Sequence, residues 1–276
     1  MLVPLAGGGQ ETLLSEVGFV LLPLFTTRDA CALRLVCREF LAAVSEHPWE
    51  DRGTVIKGSI AAWRACFPHA RCANVQKYGP SKRAAPVVDA DFVHFEGLRE
   101  LHMARCTDVT DAAFVHLRGI HTLDMTWCDQ ATITDAAFAH LVGIQRLSIW
   151  CCDQATITDA AFVHLRGIQF LNISCCEHFT DAAFAHLRGI HTLYMWHCRQ
   201  PAITDAAFVH LRGIHTLVMD YCGQATITGA TLSSLKGASV LAMRSCSDVS
   251  IATAQSLGLP VHMKTGIRRA LTYKPL

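Results

Sequence analysis

The chain has 276 residues, of which 51% are apolar, and its formal net charge is +1. That length fits one large domain or two of ordinary size, and the near-neutral charge gives no electrostatic reason to expect nucleic acid as a partner. The apolar stretch 17–25 has nine residues and no basic flank, so we expect neither a membrane-spanning helix nor a signal peptide. The thirteen cysteines then indicate reduced thiols of an intracellular protein rather than a disulfide framework.

The first stretch with a recognisable pattern is 13–40, LLSEVGFVLLPLFTTRDACALRLVCREF. It resembles the F-box, a three-helix module whose pattern runs L-P-x-E-hydrophobic, then I-F or I-L, then L, then D, then V-C-R-x-W. Glu16, Asp29 and the L-V-C-R at 35–38 match that pattern. The resemblance predicts an F-box-like helical module over residues 1–53.

An F-box docks a Skp1-like adaptor, and the resemblance implies the same partner here. The apolar side chains of the module are too many for three short helices to bury, so we expect part of the set to enter a groove on the adaptor. The set is Val17, Leu21, Leu22, Leu24, Phe25, Leu35, Val36 and Phe40. Leu14 replaces the signature proline, and Pro23 falls late in the first helix, which it should end or kink. Whether these departures abolish adaptor binding stays open.

Downstream, a segment of fourteen residues occurs twice: TDAAFVHLRGIHTL runs from 110 to 123 and returns unchanged from 204 to 217. Alignment on the Gly-Ile pairs divides 88–249 into seven units of 22 or 24 residues. The units start at Val88, Thr110, Thr134, Thr158, Thr180, Thr204 and Thr228. A fixed period in this range predicts a solenoid, in which each unit is one coil.

Each unit combines a helical part and a strand part. Thr110 is a good N-cap, Asp111 favours the positive end of a helix, and Gly119 is placed to end the helix in a left-handed conformation. In the following IHTLDMTWC, Leu123 and Met125 alternate with polar residues, which is typical of a half-buried strand. A helix of about two turns is not stable alone in water, so the stacking of coils must bury the apolar residues.

The pattern L-x-x-L-x-L-x-x-C resembles the cysteine-containing subclass of leucine-rich repeats over 88–249. The resemblance implies an α/β repeat: a curved solenoid with a parallel sheet on its inner face and helices outside. We expect one strand per unit, at Leu101, Leu123, Leu147, Leu171, Leu193, Leu217 and Leu241. The seventh unit has Gly229 in the aspartate slot and Leu232 in the phenylalanine slot, as terminal repeats often differ, and 250–276 is predicted to be a C-terminal cap and basic tail.

Residues 54–87, between the two patterns, are predicted to form a linker or a degenerate N-terminal capping coil. Within them, FPHARCANV at 67–75 fits the strand template, with Ala70 and Cys72 as weak apolar residues. Whether this stretch forms a coil is left open by the sequence.

One cysteine recurs in the same slot of every unit, which suggests either a metal site or a structural ladder. The recurring residues are Cys106, Cys128, Cys152, Cys176, Cys198, Cys222 and Cys246. No unit carries C-x-x-C or H-x-x-x-H, so we expect buried thiols that bond backbone groups, with no metal and no cofactor. Cys151 and Cys175 are additional, at matching positions of adjacent coils, and are predicted to be a free thiol pair rather than a zinc site.

Histidines and aspartates also recur once per unit. Neighbouring helices pack roughly 8–10 Å apart, too far for their histidines to share a metal, so duplication of a tolerated residue is the main interpretation and a pH-sensitive array the alternative. The aspartates stand at helix starts, where we expect them to stabilise the helix rather than to act as catalytic carboxylates. No nucleotide-binding, hydrolase or metalloprotease motif occurs, so the chain is predicted not to be an enzyme.

An F-box followed by leucine-rich repeats implies the substrate receptor of a cullin–RING (SCF-type) ubiquitin ligase, a monomer within a complex of Skp1-like adaptor and cullin. Partner enzymes would transfer ubiquitin, and this chain would hold the substrate near them. The alternative is a repeat scaffold or decoy with a vestigial F-box. The expected compartment is cytoplasmic or nuclear, in a host cell if the source is a virus. No substrate can be named from the sequence.

Residues that flank the buried leucines should point to the inner face of the sheet, and they vary between units far more than the helices do. Aromatic and arginine side chains, which dominate binding hot spots, gather there. The predicted substrate-binding residues are Trp127, Arg146, Trp150, Phe170, Tyr194, Trp196, His197 and Tyr221. The alternative is that these rings stack on one another and stiffen the sheet.

Overall fold

The computed structural model describes residues 21–77 and 85–263. Within these residues, nine parallel strands form one sheet in chain order. They are β1 (Cys72–Asn74), β2 (Glu100–His102), β3 (Thr122–Asp124), β4 (Arg146–Ser148), β5 (Phe170–Asn172), β6 (Thr192–Tyr194), β7 (Thr216–Val218), β8 (Val240–Ala242) and β9 (Val261–His262). Leu101, Leu123 and Leu147 stand opposite one another at the centres of their strands, and the pattern continues along the sheet. The predicted parallel sheet with one strand per unit is confirmed.

Before the sheet, three α-helices and a 3-10 turn surround a small core of their own. The elements are the 3-10 turn Leu22–Leu24, α1 (Thr27–Leu33), α2 (Arg38–Glu46) and α3 (Ile60–Cys66). Thr26 and Asp29 form a reciprocal capping box at the start of α1. Pro23, predicted to end or kink a helix, lies in the first turn of the 3-10 segment. The N–H groups of a first turn have no partner within the helix, so the missing N–H of proline costs no hydrogen bond there.

The small N-terminal core is continuous with the sheet region. Phe67 and Ala70, just before β1, are buried in it beside Trp49. Trp63 of α3 packs against both this core and the main core of the solenoid. Removal of residues 1–50 would therefore uncover Phe67 and Ala70, so the N-terminal helices are better probed by point substitutions than by deletion.

β1 belongs to a first coil whose register differs by three residues from the predicted one. Ala73 stands opposite Leu101, so Ala73 takes the leucine slot and Val75 the next apolar slot. The sequence template put Ala70 in the leucine slot, but Ala70 lies before the strand. The template put Cys72 in the next apolar slot, but Cys72 lies within β1, beside the central Ala73. Small apolar residues fit the template in both registers, and the coil has no leucine to distinguish them.

The main core lies between the sheet and the helical segments. In one unit, Phe114, Leu117, Leu123 and Met125 are all buried. Their equivalents in other coils join the same continuous cluster, which runs the length of the stack. Each coil buries these side chains only against its neighbours, so the stack is stable as an assembly of coils.

The predicted short helical segments lie opposite the sheet, and most of them are of the tight 3-10 type. Three are entirely 3-10: Asp89–Phe95, Asp111–Leu117 and Asp159–Leu165. Three begin as a single α turn: α4 (Asp135–Phe138), α5 (Asp181–Phe184) and α6 (Asp205–Phe208), with 3-10 turns following at Ala139–Leu141 and Val209–Leu211. The seventh unit keeps the 3-10 turn Leu232–Leu235. A 3-10 helix rises about 2.0 Å per residue against about 1.5 Å for an α-helix, so it spans more of each coil with the few residues available.

The aspartate at the start of each helical segment links its coil to the next. Asp111 accepts hydrogen bonds from the backbone N–H of Thr134 at 2.7 Å and from the hydroxyl of Thr134 at 2.6 Å. The same hydroxyl oxygen accepts from the N–H of Ala136 and so caps its own helix, as predicted. Equivalent pairs are Asp89–Thr110, Asp135–Thr158, Asp159–Thr180 and Asp181–Thr204. The predicted role at the helix start was thus incomplete, because the carboxylate also joins two coils.

The recurring cysteines form a second ladder. Cys152 donates its thiol hydrogen to the carbonyl of Met125 in the preceding coil at 3.0 Å, and Cys176 does the same to Ile149 at 3.1 Å. Burial raises the pKa of both thiols well above its ordinary value. The predicted buried thiols that bond backbone groups are confirmed.

The last described coil is closed by α7 (Asp248–Ser256), which leads into β9. Gly229 has a φ of +94°, and a Cβ there would lie 2.9 Å from the Cβ of Thr253 on α7. The segment that follows this unit is α7 rather than another Thr-Asp coil. The Cβ of an aspartate at 229 would therefore collide with the side chain of Thr253. The departure from the repeat pattern is therefore explained by the closing helix.

Candidate protein-interaction surfaces

The N-terminal helices leave several apolar side chains in solvent. Leu35 is 88% exposed, Leu24 77% and Val36 66%, whereas Leu22 is buried in the N-terminal core. Leu21 and Phe25 are exposed to a smaller extent, and Phe40 is half-buried. Val17 lies outside the described residues. The predicted adaptor-binding set thus contains one core residue and a group of exposed ones, and solvent-facing leucine and valine at this density are unusual for a surface.

A cleft of about 530 Å³ lies beside part of this group. It lies between the 3-10 turn and the segment 47–52, and Leu24 and Phe25 line it together with Pro48 and Trp49. Asp51 closes one side, where its carboxylate accepts from the backbone N–H of Thr27 at 2.7 Å. The cleft has apolar walls and a polar rim, a combination suited to an apolar side chain of another molecule.

The sheet has an open face, formed by the residues that flank each central leucine. At its N-terminal end this face is charged: Arg52 Nε lies 2.7 Å from both carboxylate oxygens of Glu100, and Glu100 lies 2.7 Å from His102 Nε2. His102 Nδ1 is 3.8 Å from Asp124, whose Oδ1 accepts from the hydroxyl of Thr126. This charged network joins the N-terminal segment to β2 and β3.

Burial and charge act in opposite directions on the charged network. Burial alone lowers the pKa of His102, but Asp124 and Glu100 outweigh it and raise that pKa to about 9. Burial alone raises the pKa of Glu100, but the bonds from His102 and Arg52 outweigh it and hold that pKa below its ordinary value. The histidine is therefore charged at neutral pH, and the network carries two cations against two carboxylates.

Further along the open face the charges give way to an apolar stripe. Phe170, Tyr194, Val218 and Ala242 lie in successive coils and bury one another. The rings of Phe170 and Tyr194 meet edge to face with centroids 5.2 Å apart, and the Arg146 guanidinium lies 4.5 Å from the Phe170 ring centre. Burial raises the pKa of Tyr194 to about 12, so its phenol stays neutral. For these two rings the structure favours the stacking alternative that the sequence left open.

Three further predicted residues, Trp127, His197 and Tyr221, lie just beyond the strands, on a surface we call the left-handed ladder. Trp150 and Trp196 each stand one position before a residue of this ladder. In each of seven coils the residue that follows the open face has a φ between 55° and 61°: Arg105, Trp127, Cys151, Cys175, His197, Tyr221 and Ser245. A left-handed conformation is uncommon outside glycine, asparagine and aspartate. Its repetition seven times places one variable side chain per coil in a single row.

Contacts within the left-handed ladder are aromatic and cationic. The Arg105 guanidinium lies 4.9 Å from the Trp127 ring centre, and Trp127 is 39% exposed. His197 and Tyr221 stack with centroids 4.7 Å apart. Trp196, on the open face, meets the edge of His197 at 4.2 Å. Such rows of preformed aromatic groups are typical of binding hot spots.

Sequence reasoning missed Arg105 and Ser245 as members of the left-handed ladder, and it placed Trp150 and Trp196 in the same group as the ladder residues. The signal that could have found the ladder is alignment, because its members share one column five positions after the first strand residue. The described part of the chain contains no group of three or more histidine, cysteine or acidic side chains placed to hold a metal ion. None of its helices is long and apolar enough to cross a membrane.

No protein-family model and no curated protein matches this chain. Among solved structures, internalin C2 from Listeria monocytogenes is similar with a TM-score of 0.55 and 18% identity, over 73% of this chain and 84% of that one. The fold is that of a leucine-rich-repeat protein. A chain of the TLR13–ssRNA13 complex matches with a TM-score of 0.51 and 16% identity, over 69% of this chain and 27% of that one.

A chain of the Rad7–Elc1 complex of yeast matches with 17% identity over 56% of this chain and 44% of that one. Its TM-score of 0.44 is too low to support an argument. The present chain thus spans less than half of two of these three matched chains. At such identities the comparisons show the leucine-rich-repeat fold and nothing further about partners or activity.

Proposed function

We propose that the chain is a non-catalytic protein-binding subunit, the substrate receptor of a cullin–RING ubiquitin ligase. Its N-terminal helices would dock a Skp1-like adaptor, and its solenoid would bind a protein substrate. The observation that carries the proposal is the exposed apolar group of the N-terminal helices, above all Leu24, Leu35 and Val36, joined to a repeat solenoid. The F-box resemblance supports it, since Leu35 and Val36 fall in the F-box pattern.

The substrate would sit against the left-handed ladder and the neighbouring tryptophans. Trp127, His197 and Tyr221 present aromatic surface there. Beside them, Phe170 and Tyr194 are packed against each other. Bound substrate would be held near a ubiquitin-loaded enzyme supplied by the complex, so the contribution of this chain is effective concentration rather than bond chemistry.

The alternative is a repeat scaffold or decoy that does not join ubiquitin transfer. It is favoured by one specific observation: Leu14 stands where the F-box pattern has proline. This alternative keeps the substrate surface and removes the adaptor.

Adaptor capture tests the proposal. The intact chain and the double variant Leu35→Asp/Val36→Asp are purified from cells with a Skp1-like adaptor present. Val142→Asp is the matched control, because Val142 is 64% exposed on the solenoid, away from the N-terminal helices. We expect the adaptor with the intact chain and the control but not with the double variant. If the intact chain never retains the adaptor, the receptor proposal is wrong and the scaffold alternative replaces it.

A further inference from the structure

Two cysteines occupy neighbouring positions of the left-handed ladder. Cys151 and Cys175 are both free thiols, half-exposed, with φ of 56° and 58°. The N–H of Cys151 bonds to the carbonyl of Ser174 at 3.0 Å, which continues the pairing of β4 with β5 in register. Paired strands lie about 4.8 Å apart, within the range of roughly 4.4–6.8 Å between Cα atoms that a disulfide bridges.

The two thiols also act on each other. Cys151 lowers the pKa of Cys175 to about 7, and Cys175 raises the pKa of Cys151. The indole of Trp150 lowers the pKa of Cys175 further. Trp150 Nε1 is buried and has no hydrogen-bond partner among the described residues, so a thiolate at Cys175 would offer this donor an acceptor.

Other cysteines of the chain lack this arrangement. The seven recurring thiols of the repeats are buried, and six of them, such as Cys152, bond carbonyls of the preceding coil at 3.0–3.3 Å. Cys31 is exposed, but burial of its sulfur and the nearby Cys66 raise its pKa. Reactivity toward disulfides requires both a thiolate and access, and Cys175 combines them with a second thiol at the equivalent position of the adjacent coil.

We propose that Cys151 and Cys175 form a thiol–disulfide exchange site for low-molecular-weight disulfides such as oxidised glutathione. The Cys175 thiolate attacks one sulfur of oxidised glutathione, the S–S bond breaks, and one glutathione thiolate leaves. Cys151 then loses its proton to water and attacks the Cys175 sulfur, which releases the second glutathione. Two protein thiols are oxidised to one cross-coil disulfide, and one glutathione disulfide is reduced to two thiols.

The first test is acid-quenched mass mapping of the full chain after exposure to oxidised glutathione at neutral pH. Intact chain should lose two hydrogens, with a disulfide joining the peptides of Cys151 and Cys175. Cys151→Ser should instead gain one glutathione at Cys175, because no thiol resolves the mixed disulfide. Cys175→Ser should leave Cys151 unmodified over the same time. If Cys31 becomes glutathionylated while the 151–175 disulfide does not form, the proposal is wrong, since the reagent would reach an exposed thiol but not this pair.

The second test isolates the indole without removing a thiol. Trp150→Phe keeps an aromatic ring but lacks the N–H, so the pH midpoint of Cys175 alkylation should move upward and its rate at neutral pH should fall several-fold, as expected for a smaller thiolate fraction. Circular dichroism and the melting temperature establish that the variant is folded. An unchanged pH midpoint of Cys175 alkylation in folded Trp150→Phe would show that the indole has no part in activating Cys175.

Discussion

The carboxylate of Asp135 holds the next coil by two bonds at once: its two oxygens accept from the backbone N–H and from the hydroxyl of Thr158, each at 2.7 Å. Hydrogen bonds to a charged group contribute about 1.5–3 kcal/mol. Asp135→Ala should therefore lower the free energy of unfolding by about that amount, as measured by urea denaturation. Asp129→Ala is the control, because Asp129 is exposed and lies in a loop of the preceding coil. An equal loss in both variants would show that Asp135 acts only through its charge.

Restoring the repeat pattern at its last coil should destabilise the protein. Gly229→Asp introduces a Cβ 2.9 Å from Thr253 at a φ of +94°, although aspartate is the residue that the other coils use. Gly119→Ala is the matched control, with a φ of +80° and open space around the new Cβ. The control should cost about 1–2 kcal/mol from the left-handed backbone alone. Gly229→Asp should cost more, and a thermal melt of both variants measures the difference.

The charged network predicts a stability that falls on the alkaline side of neutrality. The folded pKa of His102 is about 9 against 6.5 for an unperturbed histidine. The protonated histidine thus stabilises the fold fully below about pH 6.5, and this contribution is lost as pH rises through 9. Urea midpoints measured across this window should decline in the intact chain and stay flatter in His102→Gln. If the urea midpoint of His102→Gln declines as steeply as that of the intact chain, titration of other groups causes the loss of stability.

Phe170 and Tyr194 should prove to be coupled structural residues. Each ring is buried against the other on the open face, and aromatic pairs contribute about 0.5–1.5 kcal/mol beyond their buried area. A double-mutant cycle of Phe170→Ala and Tyr194→Ala should recover a coupling free energy in that range.

Trp127→Ala should differ from both open-face variants. Trp127 is 39% exposed on the left-handed ladder, so its removal should leave the melting temperature nearly unchanged. Under the proposed function it should weaken capture of the co-purifying substrate by about 2 kcal/mol or more, the usual size of a hot-spot loss. Melting temperature and affinity are measured on the same preparation, and a large loss of stability would make Trp127 structural.

The solenoid was predictable because its signal is repeated and strong. A leucine followed two positions later by methionine or isoleucine recurs in all seven units, so strand positions such as Leu123 and Leu147 follow from the pattern. The first coil was placed three residues out of register because Ala70 and Ala73 are equally small. The sequence did not distinguish the type of helix, because seven residues between a threonine cap and a glycine suit an α turn or a 3-10 helix almost equally.

The candidate surfaces were harder to predict than the fold. Trp127 and Tyr221 carry no local mark of a left-handed backbone, since that conformation usually selects glycine or asparagine. Nor could the sequence tell that Phe170 would be buried by Tyr194 while Trp127 stays exposed. Which rings shield one another depends on the spacing of coils in three dimensions.

The Asp-to-Thr link is chemically the same at successive junctions, and this has a consequence for assembly. The link does not distinguish one coil from another, so any two Thr-Asp coils could form the same two hydrogen bonds between them. Order is imposed by the covalent chain and by the two dissimilar ends, namely strand β1 with Ala73 in the leucine slot and Gly229, which packs against α7. Excision of one whole coil, such as 134–157, would bring Asp111 against Thr158 and rebuild an identical junction. The number of coils can therefore change while the Asp–Thr link at each junction stays the same.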